Sequence, residues 1–248
     1  MSIVMPRIPL FAVAGMLFWN AAHAQADCEA AWQEAKSLPN SASVARLEQS
    51  RRSCIRDTTY LSRLGRKYFE SGDVEKARAI TTAGLQIDPR HEGLLFGLGD
   101  IYLRQSRLGD AKAVATRLIE FHPNSYGGPY LMQRVLMDSR QFSEAIKYGD
   151  LAISKSNGQI VVLYLNNAVA AYHAAQDALC VRYAQEAIDR DPAVLRQAWG
   201  MNEAIYALDR SKRFPEALAL AKRRKAADPR WSEDEAFVKI LRVMGVAQ

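Results

Sequence analysis

Small and apolar residues return at a constant interval through the middle of this chain. Leu64-Gly65, Tyr68, Ala77 and Pro89 are followed 34 residues later by Leu98-Gly99, Tyr102, Ala111 and Pro123. Five coincidences at one period mark a stacked repeat rather than a single irregular core. Each position has a physical role. Gly65 and Gly99 let one helix lie close to its neighbour, and Tyr68 and Tyr102 fill the space between copies. Ala77 and Ala111 stand where two helices cross. Pro89 and Pro123 end the second helix of each copy, because proline lacks the helical N–H and clashes inside a helix. The turns Ser71-Gly72-Asp73 and Ser106-Arg107-Leu108-Gly109-Asp110 separate the two helices, with Asp73 and Asp110 expected to cap the second.

The pattern weakens on either side. Residues 126–157 form a third copy, in which Met132-Gln133 replaces Leu-Gly, Ala145 and Ala152 keep the small positions, and Asn157-Gly158 ends the copy in place of proline. Gly127-Gly128-Pro129 predicts a loose or bent start to it. Residues 159–192 form a fourth copy one residue out of phase, with Cys180 at the crossing position and Ala187 at the later small one. Residues 193–229 form a fifth with a longer first half, whose second helix opens at Phe214-Pro215. Ahead of the array, residues 25–57 read as a helical hairpin. One helix runs through Ala30, Ala31, Trp32 and Ala35, and a second through Val44, Leu47 and Ile55, with a break at Leu38-Pro39-Asn40-Ser41. Behind it, residues 231–248 carry Phe237, Ile240, Leu241 and Met244 as an apolar stripe at helical spacing, a capping helix for the last copy.

The recurring residues resemble the tetratricopeptide repeat, over residues 58–230 in about five copies. The resemblance implies an all-α, right-handed superhelical solenoid of helix–turn–helix units, whose concave groove is lined by the first helix of each. It also implies that the groove takes an extended peptide or a helix of a protein partner. Carried over position by position, the groove residues are Arg66, Phe69, Phe96, Asp100, Arg104, Tyr130, Arg134 and Tyr172. Ser62, Asp138, Leu165, Val169 and His173 join them, and Trp199, Asn202 and Tyr206 lie near the same surface. Aromatics and arginine are the usual anchors of interfaces. Arg66, Arg104 and Arg134 are candidates for bidentate capture of carboxylates. The Lys and Asn positions of the two-carboxylate clamp found in some family members are not reproduced here.

The ends of the chain bear on location. Met1–Ala24 reads as a secretory signal: Arg7 is its positive region, Leu10–Trp19 its apolar run, and Ala22-His23-Ala24 a small-x-small cleavage site with Gln25 as the new N-terminus. The alternative is an uncleaved membrane anchor, although ten apolar residues fall short of the ~20 that span a bilayer. Gln25-Ala26-Asp27 lacks the small apolar residues of a lipoprotein cleavage box. With no N-x-Ser/Thr site and a helical-repeat content, a bacterial periplasmic or secreted protein is expected. Export permits a Cys28–Cys54 disulfide across the first hairpin, worth roughly 3 kcal/mol by loop-closure entropy. Two buried free thiols are the other reading.

The chain is 49% hydrophobic and 24% charged, with net charge +6 and pI near 9.3. That balance favours anionic partners only mildly and is too dispersed to indicate nucleic acid. Arg210, Lys212, Arg213, Lys222, Arg223, Arg224, Lys225 and Arg230 form a basic cluster that could meet an anionic glycan, polymer or membrane surface. The plainer reading is a solvated helix face. No C-x-x-C pair suggests zinc. His91-Glu92 lacks the second His of H-E-x-x-H, and Gly97-Leu98-Gly99 lacks the third Gly of a dinucleotide fingerprint. No catalytic, metal or cofactor site is expected. The chain reads as an exported adaptor for a protein or peptide partner in an envelope, secretion or export assembly. A subunit binding glycan or lipid through the basic end is the alternative, and an enzyme with a site between repeats is the third reading.

Overall fold

A computed structural model describes residues 27–230 of the chain. The expected signal segment 1–24 and capping helix 231–248 lie outside the described residues. Residues 27–35 are helical (α1), followed by α2 (Asn40–Ser50), α3 (Thr58–Glu70), α4 (Val74–Ile87), α5 (Glu92–Arg104), α6 (Leu108–Phe121) and α7 (Gly127–Asp138). Then come α8 (Phe142–Lys155), α9 (Val161–His173), α10 (Asp177–Arg190), a 3-10 turn at Pro192–Arg196, α11 (Met201–Arg210) and α12 (Phe214–Ala227). The fold is all-α. Contacts divide the chain in the turn after α5 into two compact units, Met1–Ser106 and Arg107–Gln248.

In the first unit, Leu61, Leu64, Gly65 and Tyr68 of α3 face inward at i, i+3, i+4 and i+7. Asp57 accepts from the backbone N–H of Tyr60 at 2.9 Å and so starts this helix. Cys28, Ala31, Ala35 and Leu47 of the first hairpin join Tyr60, Leu64, Ala77 and Leu94 in one core. Tyr60 donates to the Leu47 carbonyl, and Tyr68 to Glu48 at 2.7 Å, so α3 holds α2 by two hydroxyls. Cys28 and Cys54 are joined by a disulfide. The second helix is shorter than expected. It ends at Ser50, Cys54 sits buried in the following turn, and Ile55 is 54% exposed. In the turn that follows, the Ser50 carbonyl accepts from both the Ser53 hydroxyl at 2.9 Å and the Cys54 N–H at 3.1 Å, while the disulfide holds Cys54 against Cys28.

The repeat positions behave as their chemistry requires. Ala77, Ala111, Ala145, Cys180 and Ala217 are all fully buried. Pro89 and Pro123 follow α4 and α6 by two residues. Two expectations are corrected. Asp110 does not cap α6: the helix begins at Leu108 with Arg107 as the preceding residue, and Asp110 pairs with Arg107 at 2.8 Å inside the first turn. A carboxylate there still suits the positive helix end. Gly127-Gly128-Pro129 is not a loose start but the buried first turn of α7. A Cβ on Gly128 would lie 2.8 Å from the backbone nitrogen of Ile119, so these glycines bring α7 hard against α6.

The turns between paired helices share a second periodic feature. Gly72, Ser106, Arg140, Ala175 and Lys212 all have positive φ, between 56° and 87°. Only the first is glycine, so the other four carry the crowding of Cβ against the carbonyl that disfavours this region. Ala175 is exposed and has no polar side chain to compensate. Ala175→Gly is expected to stabilise the protein by about 0.5–1 kcal/mol, read as a rise in the urea midpoint at unchanged slope. A drop in the midpoint would show that the unfolded chain's gain in freedom wins.

Candidate functional site

In the first unit the expected lining residues lie on α3 and α5. Arg66 is exposed but engaged: its Nε donates to Glu70 at 3.1 Å, and Glu70 also meets Lys67 at 2.9 Å. Phe69 is half-buried on the edge of the core, with the Arg104 guanidinium 4.8 Å from its ring centre. Phe96 and Asp100 are half-buried on α5. Ser62 stands against Gly93, where a Cβ would come within 2.6 Å of its hydroxyl. The charges follow a rule that the groove positions alone did not reveal. At 34-residue intervals, Arg66, Asp100 and Arg134 alternate in sign, and Glu70, Arg104 and Asp138 alternate in the opposite sense. Each first helix therefore carries one opposite pair at i, i+4, a spacing at which side chains meet.

The second unit holds an open pocket of about 440 Å³, lined by Met137, Asp138, Arg140, Phe142, Val169 and His173. Its size falls in the range of roughly 300–1,000 Å³ typical of ligand pockets. The α7 and α9 helices bring Asp138, Val169 and His173 together here, as the repeat positions imply. Beside it runs a row of aromatics. The Phe142 ring stacks on His173 at 4.9 Å, and Tyr172 meets His173 edge-on at 5.3 Å. Tyr206 lies 6.2 Å from Tyr172. The Arg210 guanidinium stands 4.6 Å over the Tyr172 ring, held by Asp177 and by the Tyr172 carbonyl at 3.0 Å. That pairing keeps the Asp177 carboxyl below its usual range. Arg134 lies 5.6 Å over Tyr130.

Sequence positions missed Arg140 and Phe142, because the groove rule covers only first helices and these belong to the turn and the start of α8; Met137 was passed over although it lies on the first helix α7 beside Asp138. Two expected residues are turned inward. Leu165 is 2% exposed, packed where a Cβ on Gly200 would touch it at 2.9 Å. Asn202 accepts from Arg224.

The off-consensus third copy is explained by its interior. Gln133 and Asn167 occupy the positions of Gly65 and Gly99 and are fully buried. Gln133 donates to Asn167 at 2.6 Å, Asn167 to Asp150 at 3.0 Å, and Tyr183 to Asp150 at 2.5 Å. Burial, then the bond to Asp150, pushes the Tyr183 hydroxyl well above its ordinary pKa. These residues tie α7, α8, α9 and α10 together and do not line the pocket.

The basic cluster is divided by the fold. Arg210 pairs with Asp177, Arg213 with Glu216 at 2.5 Å and Arg230 with Asp228 at 3.3 Å, while Arg224 is 3% exposed. Lys212, Lys222, Arg223 and Lys225 are exposed. Cys180 is fully buried, and burial pushes its thiol up to about 12, which suits packing and not nucleophilic attack. Among the described residues no group of three His, Cys, Asp or Glu could hold a metal ion, and no helix is long and apolar enough to cross a membrane.

The family model for the tetratricopeptide repeat matches residues 68–128. No curated protein sequence matches the chain significantly. Solved structures do. YrrB, described as a TPR protein with an unusual peptide-binding site, is 13% identical, with 79% of this chain and 97% of that one covered at a TM-score of 0.58. PilF of Pseudomonas aeruginosa is 13% identical, covering 77% of this chain and 86% of its own, at 0.67. Yeast Tom70 is 14% identical, covering 88% of this chain and 46% of its own, at 0.66. At these identities the likeness speaks to the fold.

Proposed function

We propose that this chain, which matches the tetratricopeptide-repeat model over residues 68–128 and shares its fold with solved proteins of that kind, is an exported adaptor. It holds a protein or peptide segment against the first-helix faces of its repeats, in support of an envelope, secretion or export assembly. The observation that carries this reading is the open pocket on α7–α9 of the second unit, continued by Phe142, His173, Tyr172 and Tyr206. Aromatic side chains offer large area at small entropic cost, which is why few of them dominate interfaces. The peptide-binding site for which YrrB is described supports the same use of the fold. The Cys28–Cys54 bond supports a periplasmic or secreted location, since such bonds persist in oxidising compartments. Retention through residues 1–24 is the alternative placement.

Photo-crosslinking in the native cell tests this. A benzophenone side chain placed at His173 is expected to capture a polypeptide, and one at Lys222 is not. Capture only from Lys222, with glycan or lipid attached, would overturn the reading in favour of the basic end.

A further inference from the structure

Several opposite charges within reach of each other along these helices are paired. Arg66 holds Glu70, Arg107 holds Asp110, Arg213 holds Glu216 and Arg210 holds Asp177. The rim of the second-unit pocket departs from this. Asp138 ends α7 and is exposed, and Arg140 occupies the left-handed turn two residues on, also exposed. Among the described residues, neither side chain has a hydrogen-bond or ion-pair partner. Residues two apart do not face each other at a helix end. Arg134, four residues before Asp138 and so its natural partner, lies over the Tyr130 ring instead. The equivalent carboxylate two repeats earlier, Glu70, is held by both Arg66 and Lys67. The pocket mouth thus carries one uncommitted anion and one uncommitted cation around an apolar floor of Met137, Phe142 and Val169.

We infer that this pocket selects a charge-mixed peptide segment: a large apolar side chain enters the pocket, a neighbouring Lys or Arg meets Asp138, and an Asp or Glu on the other side meets Arg140. This rests on the peptide-binding reading above and names the kind of segment. Mixed charge on the partner follows from complementarity. A uniformly basic segment would face Arg140, and a uniformly acidic one would face Asp138, each leaving a like charge opposed. The apolar residue contributes the buried area and the flanking charges set register and direction.

The test is selection of a random dodecapeptide phage library on the full chain, followed by anisotropy measurements with an enriched synthetic peptide. Enriched sequences should carry Leu, Met or an aromatic between residues of opposite sign. Asp138→Asn should weaken the peptide about tenfold, the size of one charge-assisted hydrogen bond, and erase the basic preference on reselection. Arg140→Gln should erase the acidic preference alone. Both substitutions change exposed side chains and leave folding intact by circular dichroism. Enriched peptides of a single charge sign, or preferences unmoved by either substitution, overturn this inference while leaving peptide binding in place. A library that yields no binders overturns both.

Discussion

Gly149→Ala is expected to destabilise the protein by about 2–4 kcal/mol, against the usual gain for alanine in a helix. Alanine is favoured over glycine mid-helix by about 1 kcal/mol. Here its Cβ would fall 1.9 Å from Asn167 Oδ1 and 2.3 Å from Gln133 Nε2. Those two amides are fully buried and bonded to each other at 2.6 Å, with Asn167 bonded on to Asp150. To admit a methyl, the amide pair must separate. Overpacking adds about 1–3 kcal/mol, and each buried polar group left without a partner about 1–3 more. These terms exceed the helix gain. Urea denaturation measures the result, and a midpoint equal to or above wild type would show that the amides are not held where the structure has them. A rescue sharpens the test. In the first clear copy the small residue sits on the other helix: Gly65 faces Thr81, whose hydroxyl would lie 2.8 Å from a Cβ there. Thr81 and Gly149 are two periods apart, as are Gly65 and Gln133. The third copy has therefore exchanged which helix supplies the space. Adding Gln133→Gly alone to Gly149→Ala should not recover the loss, because Asn167 Oδ1 stays the nearer atom, whereas Gln133→Gly together with Asn167→Gly, which restores the glycines found at 65 and 99, should recover much of it.

Removing the disulfide is the second large effect. The bond closes a loop of sequence separation 26 and ties α1 to the turn after α2. Loop-closure entropy sets its contribution at about 3–4 kcal/mol. With Cys28 and Cys54 both replaced by alanine, the first hairpin keeps only Ala31, Ala35, Leu47 and the hydroxyl bonds from Tyr60 and Tyr68 to hold it on α3. Repeat stacks lose stability locally, because each unit leans on its neighbours. Hydrogen exchange on the double variant should therefore show faster amides in α1 and α2 and unchanged protection in α9 and α10. Unchanged protection across residues 27–57 would mean that packing alone holds the hairpin.

How far these features were legible in the sequence varied with their range. Ala77, Ala111, Pro89 and Pro123 were readable because each obeys a local rule, small at a crossing or helix-ending at a boundary, repeated at one interval. Cys180 was readable as packing for the same reason, despite the fourth copy's shift in phase. Ile55 lies beyond α2, in the turn that places Cys54 against Cys28, and a pairing across the hairpin leaves no mark in the local periodicity. Asp110 is a preferred cap residue by type, but α6 starts two residues earlier, after Arg107, whose side chain makes no cap bond, so cap preference alone does not find this start. The pocket was half legible: Asp138, Val169 and His173 follow from repeat position, but Arg140 and Phe142 enter from the turn and the second helix.

By itself the sequence determined that this is an all-α stack of helix pairs, that Pro89 and Pro123 follow the ends of second helices, and which small positions let helices approach. Those properties are set by interactions within one turn or one repeat, so the chain states them directly. Only the tertiary structure decided what Gln133 and Asn167 are for. It showed that Arg224 is buried while Lys222 is not, and that Arg66 is committed to Glu70 while Asp138 is left open. Each of these depends on which of several reachable partners a side chain takes. That choice is made by packing across helices far apart in sequence, where a few tenths of an ångström separate contact from clash.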